Sequence, residues 1–379
     1  MKKKILALAV SAVIACGCTA AFTGCGGGDE GGGLTPVTLQ LKWLRQSQFM
    51  GYYAADVLGF YEEEGLDVTI VEGGTTSEID AVESGAAQFG TTWVSNLMPS
   101  IANGSSLMAI AQFYQDSGMT AVSLKTDTDI ADGTTISAGE SVGNWLGGNQ
   151  YELQAYLASL NLDTELTSQS FDMNQLLSGS LDWASAMTYN ELGLVLEAGY
   201  DLDDLNVIYM RDTDVSMMED CLFVDANWAA ENTETVEAFL RASIKGWAWA
   251  CTHAELTGDL GNDTGSLVYQ AGDSVSLYHQ QYMATEVAKL VVDGTNVTSS
   301  NLNNIGIMNE NDFEVTRDIL SNYYTSSTAS TTPSQTDIAT QAALAELTFD
   351  QVFYTQFWDN VHSSVDLSDL DSYTYSPEG

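Results

Sequence analysis

Val37-Thr38-Leu39-Gln40-Leu41 alternates apolar and polar side chains and runs into Lys42-Trp43, the period-two pattern of a strand with one buried face. Working outward, a short helix is expected over 52–58, stopped by Gly59, and a second strand over 67–71. Gly73-Gly74-Thr75-Thr76 leads into a helix over 77–84. A third strand at 89–91, a helix at 95–102 and a fourth strand at 107–111 follow. Short strands alternating with helices read as βαβ units and predict an α/β fold with a mostly parallel sheet.

The alternation restarts after Leu124. Strands are expected at 134–138, 166–169, 183–187 and 207–209, with helices at 149–160, 173–177 and 190–198. In the first of those helices Leu153, Leu157 and Leu160 share one face. Beyond, Val236, Phe239, Leu240, Ile244 and Trp247 mark one side of a long helix. The remainder reads as mostly helical, with a Ser/Thr-rich loop at 325–332 and a terminal helix over 349–362. Two α/β lobes joined by short crossings predict a clamshell.

Composition narrows the function. The 379 residues are 45% apolar, enough for real cores, but 52 Asp and Glu stand against 11 Lys and Arg, a net charge of −41. Phosphate neutralisation needs clustered cations, and there is no basic stripe, so nucleic-acid binding is excluded. The first residues behave differently. Lys2-Lys3-Lys4 followed by an apolar run over 5–14 has the form of a secretory signal, too short to span a bilayer. Phe22-Thr23-Gly24-Cys25 resembles a bacterial lipobox, and Val13-Ile14-Ala15-Cys16 is the alternative. The Gly-rich stretch directly after Cys25 suits a tether and favours that cysteine. The expectation is a signal peptide over 1–24, a lipidated Cys25, a tether over 25–36 and a body held on the membrane through acyl chains alone.

Most chemical motifs fail on context. Gly26-Gly27-Gly28-Asp29-Glu30-Gly31 has dinucleotide-loop spacing but precedes the first strand. Gly139-Glu140-Ser141-Val142-Gly143 has the spacing of a nucleophile elbow, so a secreted serine hydrolase using Ser141 is the competing reading. The elbow requires a helix immediately afterwards, and Asn144-Trp145-Leu146-Gly147-Gly148 reads as a loop or short strand. Its base would be His253, His279 or His362. There is no metal-ligand or phosphate-loop motif, so no metal or cofactor is expected. Cys221 and Cys251 read as isolated core thiols rather than a disulfide, and Glu62-Glu63-Glu64 as a solvated face. Aromatic residues at strand ends are more suggestive: Trp43 after the first strand, Trp93 after the third, and Tyr189 ahead of Asn190-Glu191. Ligands collect at the carboxyl ends of strands in open α/β sheets, and two rings on opposite lobes would sandwich a flat heterocycle.

Leu39-Gln40-Leu41-Lys42-Trp43-Leu44-Arg45-Gln46-Ser47-Gln48-Phe49-Met50-Gly51-Tyr52-Tyr53-Ala54-Ala55 is the longest of several ordered segments that together resemble one family. The others include Gly59-Phe60-Tyr61, Ser84-Gly85-Ala86-Ala87-Gln88-Phe89-Gly90, Gly147-Gly148-Asn149-Gln150-Tyr151-Glu152, Phe171-Asp172-Met173, Ala186-Met187-Thr188-Tyr189-Asn190-Glu191 and Asp220-Cys221-Leu222-Phe223-Val224. From about Val37 to Val361 the chain resembles ABC-importer substrate-binding proteins related to thiamine-pyrimidine synthases. The resemblance implies a two-lobed type II periplasmic-binding fold. Lobe one would span 37–124 and 217–379, including a helical C-terminal extension, and lobe two 125–216. It also implies a monomeric lipoprotein receptor with an ABC permease and its ATPase as partners. Its ligand would be a flat nitrogen heterocycle, a thiamine pyrimidine precursor first and a riboflavin-like ring second. Trp43 and Tyr189 would flank the ring and Glu191 would accept from its amine. Gln46, Gln48, Asn144 and Asn190 would read polar edges, Trp93 and Trp145 would add walls, and Tyr52, Thr75 and Thr76 would complete the site. Thr92 and Asn96 stand where the synthases of this kind carry a Lys–His pair, which implies binding rather than synthesis.

Overall fold

The computed structural model describes residues 33–125, 135–254, 276–292, 299–327 and 331–373. The expected signal segment, Cys16, Cys25 and nearly all of the Gly-rich tether lie outside the described residues. The compact body begins at Leu34.

Among the described residues ten strands form three ladders, two of which a bridge joins, so that each lobe has a sheet of matching design. Lobe one uses β1 (Thr35–Gln40), β2 (Leu66–Val71), β3 (Phe89–Trp93), β4 (Leu107–Gln112) and β10 (Asp220–Asp225), in the order β2-β1-β3-β10-β4. β1 pairs in parallel with β2 and β3, while β10 runs antiparallel between β3 and β4. Lobe two uses β5 (Met119–Leu124), β6 (Val142–Asn144), β7 (Leu166–Ser168), β8 (Ala184–Met187) and β9 (Leu205–Tyr209). β5 lies antiparallel between β8 and β9, and β6 pairs in parallel with β7. The two ladders join where Gly143 N–H donates to the Trp183 carbonyl at 2.9 Å and Trp183 N–H to the Ser141 carbonyl at 3.0 Å. Read across, lobe two is β7-β6-β8-β5-β9. In each lobe the antiparallel strand is the one that arrives from the other lobe.

Those two arriving strands correct the sequence reading. Residues 119–124 were assigned to lobe one with no strand expected there, yet they form β5 and pair inside lobe two, so the chain crosses before Met119 rather than at 124/125. Neither β5 nor β10 shows alternation, because each is buried on both faces over most of its length. The strand expected at 134–138 is absent over the described 135–138, and β6 takes its place. The expected terminal helix is two short helices, Phe349–Val352 and Gln356–Val361. Phe353 and Tyr354 between them cover the edge of β4, Tyr354 N–H donating to the Ala109 carbonyl at 2.8 Å. The C-terminal extension also reaches lobe two: Tyr151 Oη donates to the Thr325 carbonyl at 2.7 Å.

The long helix Thr233–Thr252 buries Phe239, Leu240, Trp247 and Trp249 and packs across the helix Met50–Val57. Among the described residues no helix is long and apolar enough to cross a membrane. Cys221 and Cys251 are free and buried, and burial pushes both thiols well above their ordinary pKa. Peptides carrying these cysteines should alkylate with iodoacetamide only after denaturation. Labelling of the native protein at either site would mean that the core opens.

Candidate functional site

A cavity of about 920 Å³ lies between the lobes, where the carboxyl ends of the parallel strands face each other. β1 delivers Lys42 and Trp43, and β3 ends on Trp93. The segment after β2 brings Thr75 and Thr76. From lobe two, β6 runs into Trp145, β7 into Phe171 and Asp172, and β8 into Met187, Tyr189, Asn190 and Glu191. The loop after β2 can lie across the end of β1 because residue 73 is glycine. A Cβ there would sit 2.3 Å from the Leu41 carbonyl oxygen, and Gly73 N–H donates to the Trp43 carbonyl at 2.8 Å.

Ten of the twelve residues expected in the site line this one cavity: Trp43, Gln46, Gln48, Thr75, Thr76, Trp93, Trp145, Tyr189, Asn190 and Glu191. The other two do not. Tyr52 is turned into the core of lobe one, edge-on to Phe113 and Trp247 with ring centres 5.5 Å away in both cases. Asn144 is fully buried behind the wall. Its Nδ2 donates to Ser185 Oγ at 2.9 Å, and its Oδ1 accepts from Leu146 N–H at 2.8 Å. Leu146 has φ 56°, so Asn144 braces a left-handed residue directly after Trp145 and thereby aims the indole.

The mouth is aromatic. Trp43 of lobe one meets Phe171 of lobe two with ring centres 5.2 Å apart, and Phe171 lies parallel to Trp145 at 6.1 Å. Trp145 is steadied by donation from Nε1 to the Ser170 carbonyl at 3.0 Å. Phe171 is 61% exposed, an unfavourable place for a phenyl ring unless something covers it. The floor is polar. Gln46 Nε2 donates to Gln48 Oε1 at 3.2 Å, and Gln48 Nε2 donates to Asp220 Oδ2 at 2.9 Å. Trp93 Nε1 donates to the same oxygen at 3.2 Å. Asp220 Oδ1 is buried with no hydrogen-bond partner, and burial raises this carboxyl to about 6 despite the Gln48 bond.

Charge in the cavity is one-sided. Lys42 Nζ sits 4.4 Å above the Trp93 ring and 3.7 Å from Glu78 Oε1, which also accepts from Thr92 Oγ1 at 2.6 Å. That lone cation is therefore already matched. Glu191, the first residue of the helix Glu191–Glu197, accepts from Met187 N–H at 2.9 Å on Oε2 and from Asn190 Nδ2 at 2.9 Å on Oε1. Burial raises its carboxyl to about 7 against those hydrogen bonds. With its own backbone N–H also bonding the carboxylate, three of its roughly four acceptor sites are taken and one is left for a donor in the cavity.

Ser141 does not form an elbow. It precedes the strand β6 instead of a helix, and its Oγ donates to Asp182 Oδ2 at 2.8 Å while accepting from Asp182 N–H at 2.9 Å. The candidate bases are engaged elsewhere: His253 stacks on Trp249, His362 on Trp358, and His279 bonds Asn190 and Glu197. Among the described residues there is no group of three or more His, Cys, Asp or Glu placed to hold a metal ion.

In the sequence, Lys42, Asn149, Phe171-Asp172 and Asp220 stood out only as motif letters, and Glu78 did not stand out at all. A polar residue directly after a strand or opening a helix was the available signal for Lys42 and Glu78. Asp220 opens an antiparallel strand from a distant part of the chain, and its only signal was its place in a segment of the family resemblance.

This is the two-lobed architecture of periplasmic-binding proteins, with the ligand cleft at the switch between sheets. The family profile described as "NMT1/THI5 like" matches residues 46–256, and the chain belongs to that family. Among solved structures, the ligand-binding component of an ABC-type import system from Staphylococcus aureus, with zinc bound, has TM-score 0.58 at 11% identity, covering 88% of this chain and 100% of that one. A putative sulfonate ABC transporter's periplasmic sulfonate-binding protein SsuA from Methylobacillus flagellatus has TM-score 0.58 at 13% identity, covering 91% and 98%. The desulfurization enzyme DSZB shares the fold with TM-score 0.53 at 12% identity, covering 87% and 99%. No curated protein sequence matches the chain.

Proposed function

We propose that this protein is an extracytoplasmic receptor of an ABC importer, tethered through an acylated Cys25, that captures a flat nitrogen heterocycle and hands it to a permease. One observation carries this reading. Trp43, Trp93, Trp145 and Tyr189, drawn from both lobes, converge with Glu191 on a single cavity. Aromatic faces reward any planar ring, by about 1–3 kcal/mol per stacked face. The carboxylate rewards a ring with an exocyclic amine or protonated nitrogen, by roughly 1.5–3 kcal/mol for a charge-assisted bond. A thiamine-type aminopyrimidine meets both conditions, and a riboflavin-like ring is second. Anions such as sulfonates fit poorly, because Lys42 is already paired with Glu78 while Glu191 lines the same walls. Closure of the lobes on the ligand would cover Phe171 and present a joint surface to the permease.

Native mass spectrometry of freshly purified protein should reveal a retained small molecule. Thermal melts with 4-amino-5-hydroxymethyl-2-methylpyrimidine, riboflavin, taurine and nitrate should show stabilisation by the first, less by the second and none by the anions. Stabilisation by taurine or nitrate alone would overturn the heterocycle reading. Ester turnover abolished by Ser141→Ala would overturn the receptor reading.

Glu191→Ala is expected to weaken pyrimidine binding by more than about tenfold. Part of that loss is the Met187 N–H left without its acceptor, so Glu191→Gln is the cleaner variant: it removes the charge and keeps one acceptor oxygen for Met187 N–H, at the cost of the Asn190 Nδ2 bond. An unchanged dissociation constant in both variants would remove Glu191 from the site.

A further inference from the structure

The helix Leu277–Val291 lies immediately behind the cavity, more than fifty residues beyond the last strand, and two adjacent residues in its first turn point to opposite lobes. Ser276 starts the helix by accepting from His279 N–H at 3.1 Å. His279 is 1% exposed. Its Nε2 lies 2.8 Å from Asn190 Oδ1 and its Nδ1 lies 2.6 Å from Glu197 Oε1, so the ring is gripped at both ends of the helix Glu191–Glu197. Asn190, held by its oxygen, turns its Nδ2 to Glu191. Gln280 is 2% exposed and serves the other bank. Its Oε1 accepts from both the backbone N–H and the Oγ of Ser47, at 2.8 Å each, and Ser47 sits between Gln46 and Gln48. One turn further on, Tyr282 Oη donates to the Thr188 carbonyl at 2.7 Å. The close approach is possible because residue 193 is glycine: a Cβ there would lie 2.5 Å from the Tyr282 ring and 3.2 Å from His279.

We propose that His279 and Gln280 are positioning residues for the ligand cavity, which the reading above takes as a heterocycle site. His279 fixes the Asn190–Glu191 pair of lobe two, Gln280 fixes the Gln46–Gln48 pair of lobe one, and their adjacency on one helical turn holds the two polar banks in register across the cleft. Neither residue lines the cavity. Each acts through the side chain or backbone that does.

The test uses the full chain and two kinds of measurement. Amide hydrogen exchange without ligand should show that Gln280→Leu deprotects Ser47 and its neighbours while leaving 187–194 unchanged. His279→Ala should deprotect 187–194 and leave 46–49 unchanged. In binding, His279→Ala should lower affinity for 4-amino-5-hydroxymethyl-2-methylpyrimidine by about tenfold. It should lower affinity for the 4-oxo analogue far less, because the selectivity for the amine passes through Glu191. In a Glu191→Gln background the His279→Ala effect should shrink towards nothing. Equal losses for both pyrimidines, or the same loss in the Glu191→Gln background, would make His279 merely structural and overturn the proposal. Exchange unchanged in both regions would do the same. If no pyrimidine binds the wild type, the heterocycle reading fails, and the exchange pattern alone decides the positioning roles.

Discussion

Gly246→Ala is expected to lower the melting temperature by roughly 2–5 °C, an unusual cost for adding one methyl group to a helix. The helices Met50–Val57 and Thr233–Thr252 cross with Gly51 and Gly246 at the contact. A Cβ on Gly246 would lie 2.3 Å from the Gly51 carbonyl oxygen, 2.6 Å from Ala55 Cβ and 2.8 Å from Ala55 N. Two of those three neighbours are backbone, so no rotamer change relieves the clash and one helix must shift. Alanine's better helix propensity returns about 1 kcal/mol, while overpacking of this kind costs typically about 1–3 kcal/mol and more where backbone must move. In a body of about 340 residues the unfolding entropy is large, so each kcal/mol is worth only about 1–2 °C. Gly51→Ala should be at least as damaging, since its Cβ would fall 2.0 Å from the Trp247 ring, itself fully buried against Tyr52 and Phe113. Gly147→Ala is the control, because a Cβ there meets nothing within 4 Å. Equal melting temperatures for Gly246→Ala and Gly147→Ala would show that the crossing is looser than described.

Stability should fall, not rise, between pH 5 and pH 8. Burial raises the carboxyls of Glu152, Glu191 and Asp220 to about 8, 7 and 6, and raises Glu219 well above its ordinary value, with the Glu152 charge adding to that shift. Unfolded, these groups titrate near 4 to 4.5. Between that value and about 8 the folded protein therefore binds more protons than the unfolded chain, and stability declines with rising pH. The contribution is complete below about pH 4 and is lost progressively as pH rises through about 6 for Asp220, 7 for Glu191 and 8 for Glu152. Glu152, with Glu219 beside it, sets the upper end of the window. It sits where the two interlobe crossings meet, its Oε1 accepting from Met217 N–H at 2.8 Å and its Oε2 from Ser117 Oγ at 3.1 Å; Ser117 Oγ also lies 3.4 Å from Glu219 Oε1. Glu152→Gln keeps the shape and the Met217 bond while removing the titration. It should stabilise the protein at pH 8 by on the order of a few kcal/mol and change little at pH 5. Melting curves of both proteins at the two pH values decide the matter. A wild-type profile that is flat, or identical in Glu152→Gln, would mean that Glu152 is ionised and solvated when folded.

How much of this was legible follows from how far each feature reaches along the chain. The alternating strands β1, β2 and β3, the stop at Gly59, the long helix carrying Trp247 and the aromatic residues at strand ends are written within about a dozen residues, and the sequence alone placed them. Local pattern also put Trp43, Trp93, Trp145 and Tyr189 after strands, and parallel sheets bring such ends together. It could not say which way Tyr52 faces on its helix, because that depends on Trp247 approaching from nearly two hundred residues away. Nor could it show that Asn144 turns behind the wall to Ser185. The carboxylate under Trp93 comes from 127 residues further along, and the glutamine bracing Ser47 from 233 residues further. Periodicity and turn chemistry are short-range properties of the backbone, so sequence by itself settled the two-lobed α/β frame and the rims of its cleft. Which buried polar groups meet behind those rims was decided only when β10 and the helix Leu277–Val291 returned to the cleft, since desolvated groups take whatever partner the packed chain brings within hydrogen-bonding distance.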